Sequence, residues 1–210
     1  MRIIPIVVVP TLLLALAGCI QPIPKVEDPN ATGTPGQSSP PALGLTGEAY
    51  VVNTFYDEDF QQGGFTYTYG GATKVRQQEG EGALGSEYFL HFSIDQSDYS
   101  GAAVCLWNQS FDLSALLKTG AVVFQARGKN GGEKIRIGLV DDEKSDSRKT
   151  VVRADVSPKY GTIKKGEWTT FVIPLRDFGK RGVAWDAAKG VEVGAEFQWD
   201  LVQEFRVITN

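Results

Sequence analysis

Few residues in this 210-residue chain could carry covalent or acid–base chemistry, and the single histidine, His91, is the first to weigh. A serine or cysteine nucleophile activated by imidazole would have to centre on it. It sits in Tyr88-Phe89-Leu90-His91-Phe92-Ser93-Ile94, where strand alternation puts it on the face opposite Leu90 and Phe92, the place of an ordinary surface side chain. No Gly-x-Ser-x-Gly elbow is present, and no His/Cys spacing suits zinc. Acids cluster at Asp57-Glu58-Asp59, at Asp141-Asp142-Glu143 and at Asp95/Asp98. Glycoside cleavage needs two carboxylates flanking one bond, and all three clusters read as turns. Calcium takes six to eight oxygens; the acids around Asp57 do not assemble that many, so no cofactor is assigned, a structural calcium ion being the sole candidate. The glycine pairs at 63–64, 70–71 and 131–132 are turn chemistry, with no helix behind them to cradle phosphate. The chain reads as a non-enzyme, with a glycoside hydrolase or lyase the lesser alternative.

The two cysteines have separate meanings. Arg2 is followed by an apolar run from 3 to 17, interrupted only by Pro5, Pro10 and Thr11. It is shorter than the roughly 20 residues of a membrane span and fits the core of a secretory signal. The run ends in Leu16-Ala17-Gly18-Cys19, which resembles the lipobox of bacterial lipoproteins. That resemblance implies a signal peptide over 1–18, a diacylglycerol on Cys19 and a membrane partner reached through the lipid. Each buried methylene adds about 0.8 kcal/mol, so several acyl chains on one residue hold firmly. Ile20 stands where aspartate marks inner-membrane retention in the corresponding sorting rule, which implies the outer membrane of the cell envelope. Residues 19–47 comprise the lipid-bearing cysteine and a stretch rich in Pro, Gly, Ser and Thr, too poor in apolar surface to offset its conformational entropy. They are expected to form a disordered linker. Loss of the signal takes the net charge from −4 to −5, and without a basic cluster nucleic acid is excluded as a partner. Cys105, in Ala102-Ala103-Val104-Cys105-Leu106, reads as a buried, inert thiol.

Residues 48–210 form one block of short aromatic and β-branched runs separated by Gly, Asp, Asn and Ser. Strands are predicted over Tyr50–Phe55, Phe65–Tyr69, Thr73–Gln77, Tyr88–Ile94, Ala102–Trp107, Ala121–Arg127, Lys134–Val140, Thr150–Val156, Trp168–Pro174 and Glu204–Thr209. Ile135, Ile137 and Leu139 alternate with Lys134, Arg136 and Gly138, the mark of an antiparallel strand packed on one side. Only Asp112–Leu117 and Leu175–Phe178 suggest helical turns. The fold class is all-β, a two-sheet antiparallel β-sandwich of the jelly-roll, galactose-binding-like kind.

Three stretches, taken in order, resemble jelly-roll carbohydrate-binding modules of family 11 and related β-glucan binders. They are Phe111-Asp112-Leu113-Ser114 leading to Val123–Gly128 and Gly131–Ile137, then Gly166–Phe178 with its Trp168 and Pro174, then Phe197–Val207. The resemblance implies non-catalytic polysaccharide binding on a concave sheet face, where aromatic rings meet the C–H faces of pyranoses and polar groups meet their hydroxyls. Carried over residue by residue, it implies a ligand-binding set of Tyr67, Tyr69, Tyr99, Arg181, Trp185, Asp186, Gln203 and Arg206. Lys180–Asp186 is expected to be a loop. The tyrosines could equally be cross-strand packing and Trp185 a loop residue capping the core, whereas Trp168 and Trp199 belong to the core. The family's acidic first strand is replaced by Val51-Val52-Asn53-Thr54-Phe55-Tyr56, and its last strand with an Asp-Asn pair has no counterpart after Val207-Ile208-Thr209-Asn210. The alternative class is a structural or adhesive envelope lipoprotein that binds a protein partner, favoured if Arg127, Arg136 and Arg153 share a flat basic face.

Overall fold

A computed structural model describes residues 4–9, 56–57, 59–60, 64–69, 74–83, 86–94, 100–106, 109–141 and 149–209, with 4–9, 56–57, 59–60 and 94 known by backbone alone. Cys19, the 19–47 linker, Tyr99, the strand predicted over Tyr50–Phe55 and the acids Asp95, Asp98, Asp142 and Glu143 lie outside the described residues.

The chain builds two antiparallel sheets. The smaller has five strands in the order β11-β8-β1-β6-β5: β11 is Thr169–Pro174, β8 Ala121–Gly128, β1 Ile4–Val9, β6 Tyr88–Ile94 and β5 Lys74–Glu79. The larger has seven in the order β13-β12-β10-β9-β14-β7-β4: β13 is Val191–Glu196, β12 Arg181–Asp186, β10 Thr150–Asp155, β9 Ile135–Asp141, β14 Val202–Thr209, β7 Gly101–Cys105 and β4 Phe65–Tyr69. A two-residue ladder of β2 (Tyr56–Asp57) with β3 (Asp59–Phe60) stands apart. The helical turns predicted after Phe111 and Pro174 are 3-10 turns over Ser114–Leu116 and Leu175–Phe178. No described helix is long and apolar enough to cross a membrane.

Strand alternation decides what lies between the sheets. Leu90 and Phe92 of β6, Phe124 of β8, Phe171 of β11 and Phe205 of β14 are fully buried. Phe124 stacks on Phe171 at 5.1 Å between ring centroids and meets Phe205 of the opposite sheet at 6.0 Å, so this trio joins the two layers. Trp199 is buried in the same core, as predicted, whereas Trp168 is only partly buried and packs against its edge. Arg136 and Arg153 lie on the outer face of the larger sheet, but Arg127 is on β8 of the smaller one. The three arginines therefore do not share a face.

Two differences from the sequence prediction have physical causes. The stretch Arg181–Asp186 is a strand, not a loop: it pairs in register with β13 from Arg181↔Glu196 to Asp186↔Val191. Its small residues Gly182 and Ala184 turn inward against β10, and an added Cβ on Gly182 would strike the Val151 carbonyl. The second difference is β1. Ile4–Val9 lies within the predicted leader, yet it pairs with β6 on one side and β8 on the other. Ile6–Val9 is a β-branched run that suits a strand; Pro5 has no N–H to donate, and the remaining backbone groups take up hydrogen bonds that both neighbours would otherwise leave open.

Asp141, predicted in a turn, closes β9 as a buried carboxylate. It accepts hydrogen bonds from the Thr150 backbone N–H at 2.6 Å and from the Gln198 N–H at 3.0 Å. It ties β9 to the start of β10 and to the loop before β14.

Candidate functional site

The outer face of the seven-stranded sheet gathers most of the predicted site. Register places Phe65, Tyr67 and Tyr69 of β4 opposite Cys105, Ala103 and Gly101 of β7. Those residues in turn face Glu204, Arg206 and Ile208 of β14. The next strand, β9, contributes Gly138 beside Arg206. The floor is therefore built of small side chains in its middle. An added Cβ on Gly101 would run into the Tyr69 hydroxyl, and one on Gly138 would press Val151 and Ile208 at about 3 Å.

A bulge in β14 sets the chemistry of this floor. The register slips between Val202 and Glu204, so Val202 stays in the core while Glu204 emerges on the outer face beside Arg206. Glu204 is fully buried there and accepts hydrogen bonds from Tyr67 Oη at 2.8 Å, from Arg206 Nε at 3.0 Å and Nη2 at 2.8 Å, and from Lys149 Nζ. Burial alone would raise its carboxyl, but Arg206, Lys149 and Tyr67 outweigh it and hold the group below the usual glutamate range. Arg206 also donates to Tyr67 Oη at 2.7 Å and lies over the Tyr69 ring at 5.2 Å. Burial first, then Glu204, pushes both the Tyr67 hydroxyl and the Cys105 thiol well above their ordinary values. Both groups stay protonated and neither is poised as a nucleophile.

Two rings project from this face. Phe65 is 40 % exposed on β4 and Trp185 57 % exposed on β12. Five strand spacings lie between β4 and β12, about 24 Å, the length of several linked pyranose rings.

The sequence model of one family, Carbohydrate binding domain 30, matches residues 52–208. The chain belongs to that family. The resemblance drawn to family 11 and its relatives thus resolves to family 30, a class of non-catalytic carbohydrate-binding modules. A crystal structure of a family 30 carbohydrate-binding module shares 23 % identity over 69 % of each chain, with a TM-score of 0.50. The family 30 module of a cellulosomal cellulase from Clostridium thermocellum shares 22 % identity over 69 % of this chain and 76 % of its own, with a TM-score of 0.47. A family 11 module from the same organism, in complex with a mixed-linked β-1,3-1,4 tetrasaccharide, shares 14 % over 73 % of this chain and 82 % of its own, with a TM-score of 0.41. No curated protein matches this chain.

Within this family 30 module the predicted site residues fall into three groups. Tyr67, Tyr69 and Arg206 lie together, but as floor pieces locked to Glu204 rather than as free platforms. Trp185 is free to stack, and Arg181 is exposed on the same strand face four residues away. Asp186 is turned elsewhere: its Oδ1 caps the β12–β13 turn by accepting from the Ala188 and Lys189 N–H groups at 3.1 and 3.2 Å. Gln203 borders the floor, where its side-chain carbonyl accepts from Lys149 at 3.3 Å. Tyr99 lies outside the described residues.

Five residues of the face were not predicted as ligand-binding. Phe65 shares the alternation of Tyr67 and Tyr69, and that signal alone could have found it. Lys149, Glu204 and the Arg153–Glu192 pair are brought in by the bulge and by the missed hairpin, neither of which is visible in residue spacing. Among the described residues, no group of three or more His, Cys, Asp or Glu side chains is arranged to hold a metal ion.

Proposed function

We propose that this module binds a polysaccharide chain laid across the strands of its larger sheet, held to the envelope by a lipid on Cys19 and a flexible 19–47 linker. The observation that carries the reading is the pair of exposed rings, Phe65 and Trp185, standing at opposite sides of a floor that is small, rigid and polar. A sugar ring supplies C–H faces for the exposed aromatic rings and hydroxyls for the polar floor. The prelocked Tyr67–Glu204–Arg206 network presents its groups without a large ordering cost on binding. Arg206 and Lys149 are both engaged by Glu204, and Arg153 by Glu192, which suits a neutral glycan rather than a charged one.

Affinity electrophoresis against soluble glucans tests this. Trp185→Ala should weaken binding about tenfold, from the loss of stacking plus covered area, and leave folding intact because the ring is exposed. Unchanged mobility in every glycan for both proteins would sink the reading and turn attention to a protein partner. Lipid attachment is tested separately, by labelling cells with an alkyne fatty acid and comparing the full chain with Cys19→Ala.

A further inference from the structure

A second cavity opens beside this face. β10 pairs with β12 only at Thr150↔Ala184 and Val151↔Val183. Past Val151 the two strands part, and the β10 edge borders a cleft of about 760 Å³ lined by Lys134, Arg153, Asp155, Lys159, Tyr160 and Asp177 among others. That volume falls within the range of small-molecule sites. The cleft is continuous with the glycan face through one residue. Arg153 lies opposite Gly138, which lies opposite Arg206, so the Arg206 floor and the cleft mouth are two strand widths apart, about 10 Å.

We infer that the polysaccharide path does not end on the sheet but continues past Arg153 into this cleft, which takes further neutral sugar units. The inference rests on the reading of the sheet face as a glycan site. Its own support is the composition of the walls. Lys134, Arg153 and Lys159 can only donate hydrogen bonds, while ionised Asp155 and Asp177 can only accept. A sugar hydroxyl does both, and facing sets of donors and acceptors suit rows of hydroxyls. Arg153 is already held by Glu192, so Lys134 and Lys159 match Asp155 and Asp177 and the walls favour neither sign of charge. Several of these groups are already oriented: Asp177 Oδ2 accepts from Tyr160 Oη at 2.7 Å and from Lys159 Nζ at 3.0 Å. Asp155 and Lys159 keep most of their side chains in solvent, at 68 % and 64 %.

The test is calorimetric titration of the whole chain with β-1,4-linked gluco-oligosaccharides from the disaccharide to the octasaccharide, for wild type, Lys134→Ala and Asp155→Asn. Both substitutions are at accessible positions, and thermal melts confirm that the fold is kept. The expected result is a length-selective loss. Short oligomers bind all three proteins alike, and the longest bind each variant about threefold to tenfold more weakly, the scale of one or two hydrogen bonds. Equal affinities at every length, or an equal loss at every length, would overturn the cleft extension while leaving the sheet face standing. Wild type that binds no oligomer at all would bring down the sheet-face reading and the extension with it.

Discussion

Glu204 shows how much of the site is decided at one residue. It is a carboxylate with no solvent contact, on a face that is otherwise the outside of a sheet. Breaking a buried ion pair from one side leaves the other charge uncompensated and costs several kcal/mol. Glu204→Gln should therefore lower unfolding stability by about 3 kcal/mol in urea titrations, well beyond the effect of a surface change. The pH dependence has a definite sign. The folded carboxyl titrates below the unfolded one, so its contribution is present above the ordinary glutamate range and is lost as pH falls through the folded value. The variant should show a flatter acid limb than wild type, and identical limbs would contradict the assignment. This residue was not legible beforehand. In Val202-Gln203-Glu204-Phe205-Arg206 simple alternation groups Glu204 with Val202 and Arg206 and cannot say which face is wet; only the bulge separates them. Tyr67 and Arg206 were legible because the family pattern marks them, although their role as a locked floor was not.

At the scale of elements, strands with one dry face read directly from the sequence. Tyr88–Ile94 was predicted to the residue because burial of Leu90 and Phe92 on one side forces period two, and Phe65–Tyr69 was predicted to the residue from its run of Phe, Thr and Tyr. The β12–β13 hairpin was missed for the converse reason. β13 is exposed along most of its length, so nothing selects a hydrophobic alternation, and Gly182, Ala184, Gly194 and Ala195 dilute what remains. The same geometry makes the hairpin the weakest part of the face. It joins β10 through two register pairs and through the Arg153–Glu192 ion pair, in which Nη1 donates to Oε2 at 3.0 Å and Nη2 to Oε1. Glu192 is also the direct cross-strand neighbour of Trp185. Glu192→Gln should loosen residues 181–196 without unfolding the sandwich, since an isolated surface pair is worth less than about 1 kcal/mol. Hydrogen exchange should quicken in the hairpin alone and glycan affinity should fall severalfold. Exchange unchanged in the hairpin would show that the turn, not the ion pair, holds Trp185 in place.

The whole molecule poses a question that neither smaller scale answers, because its five-stranded sheet has a central strand drawn from the predicted leader. The family match begins at residue 52 and so omits Ile4–Val9, while every described residue of the main core lies between Ala83 and Val207. β1 pairs with two neighbours, β6 and β8, and a chain without it would lose both ladders. If lipoprotein processing at Cys19 removes residues 1–18, the module must fold without them. A chain beginning at Thr46 should unfold in a single cooperative urea transition, with a slope appropriate to one domain of its size. It should bind glycan as the full chain does, and chelation with EDTA should leave its melting temperature unchanged. A broad transition with dye-accessible apolar surface in the shortened chain would mean that the open slot between β6 and β8 cannot be filled or tolerated. Ile4–Val9 would then be part of the working protein, and cleavage before Cys19 would be incompatible with its fold.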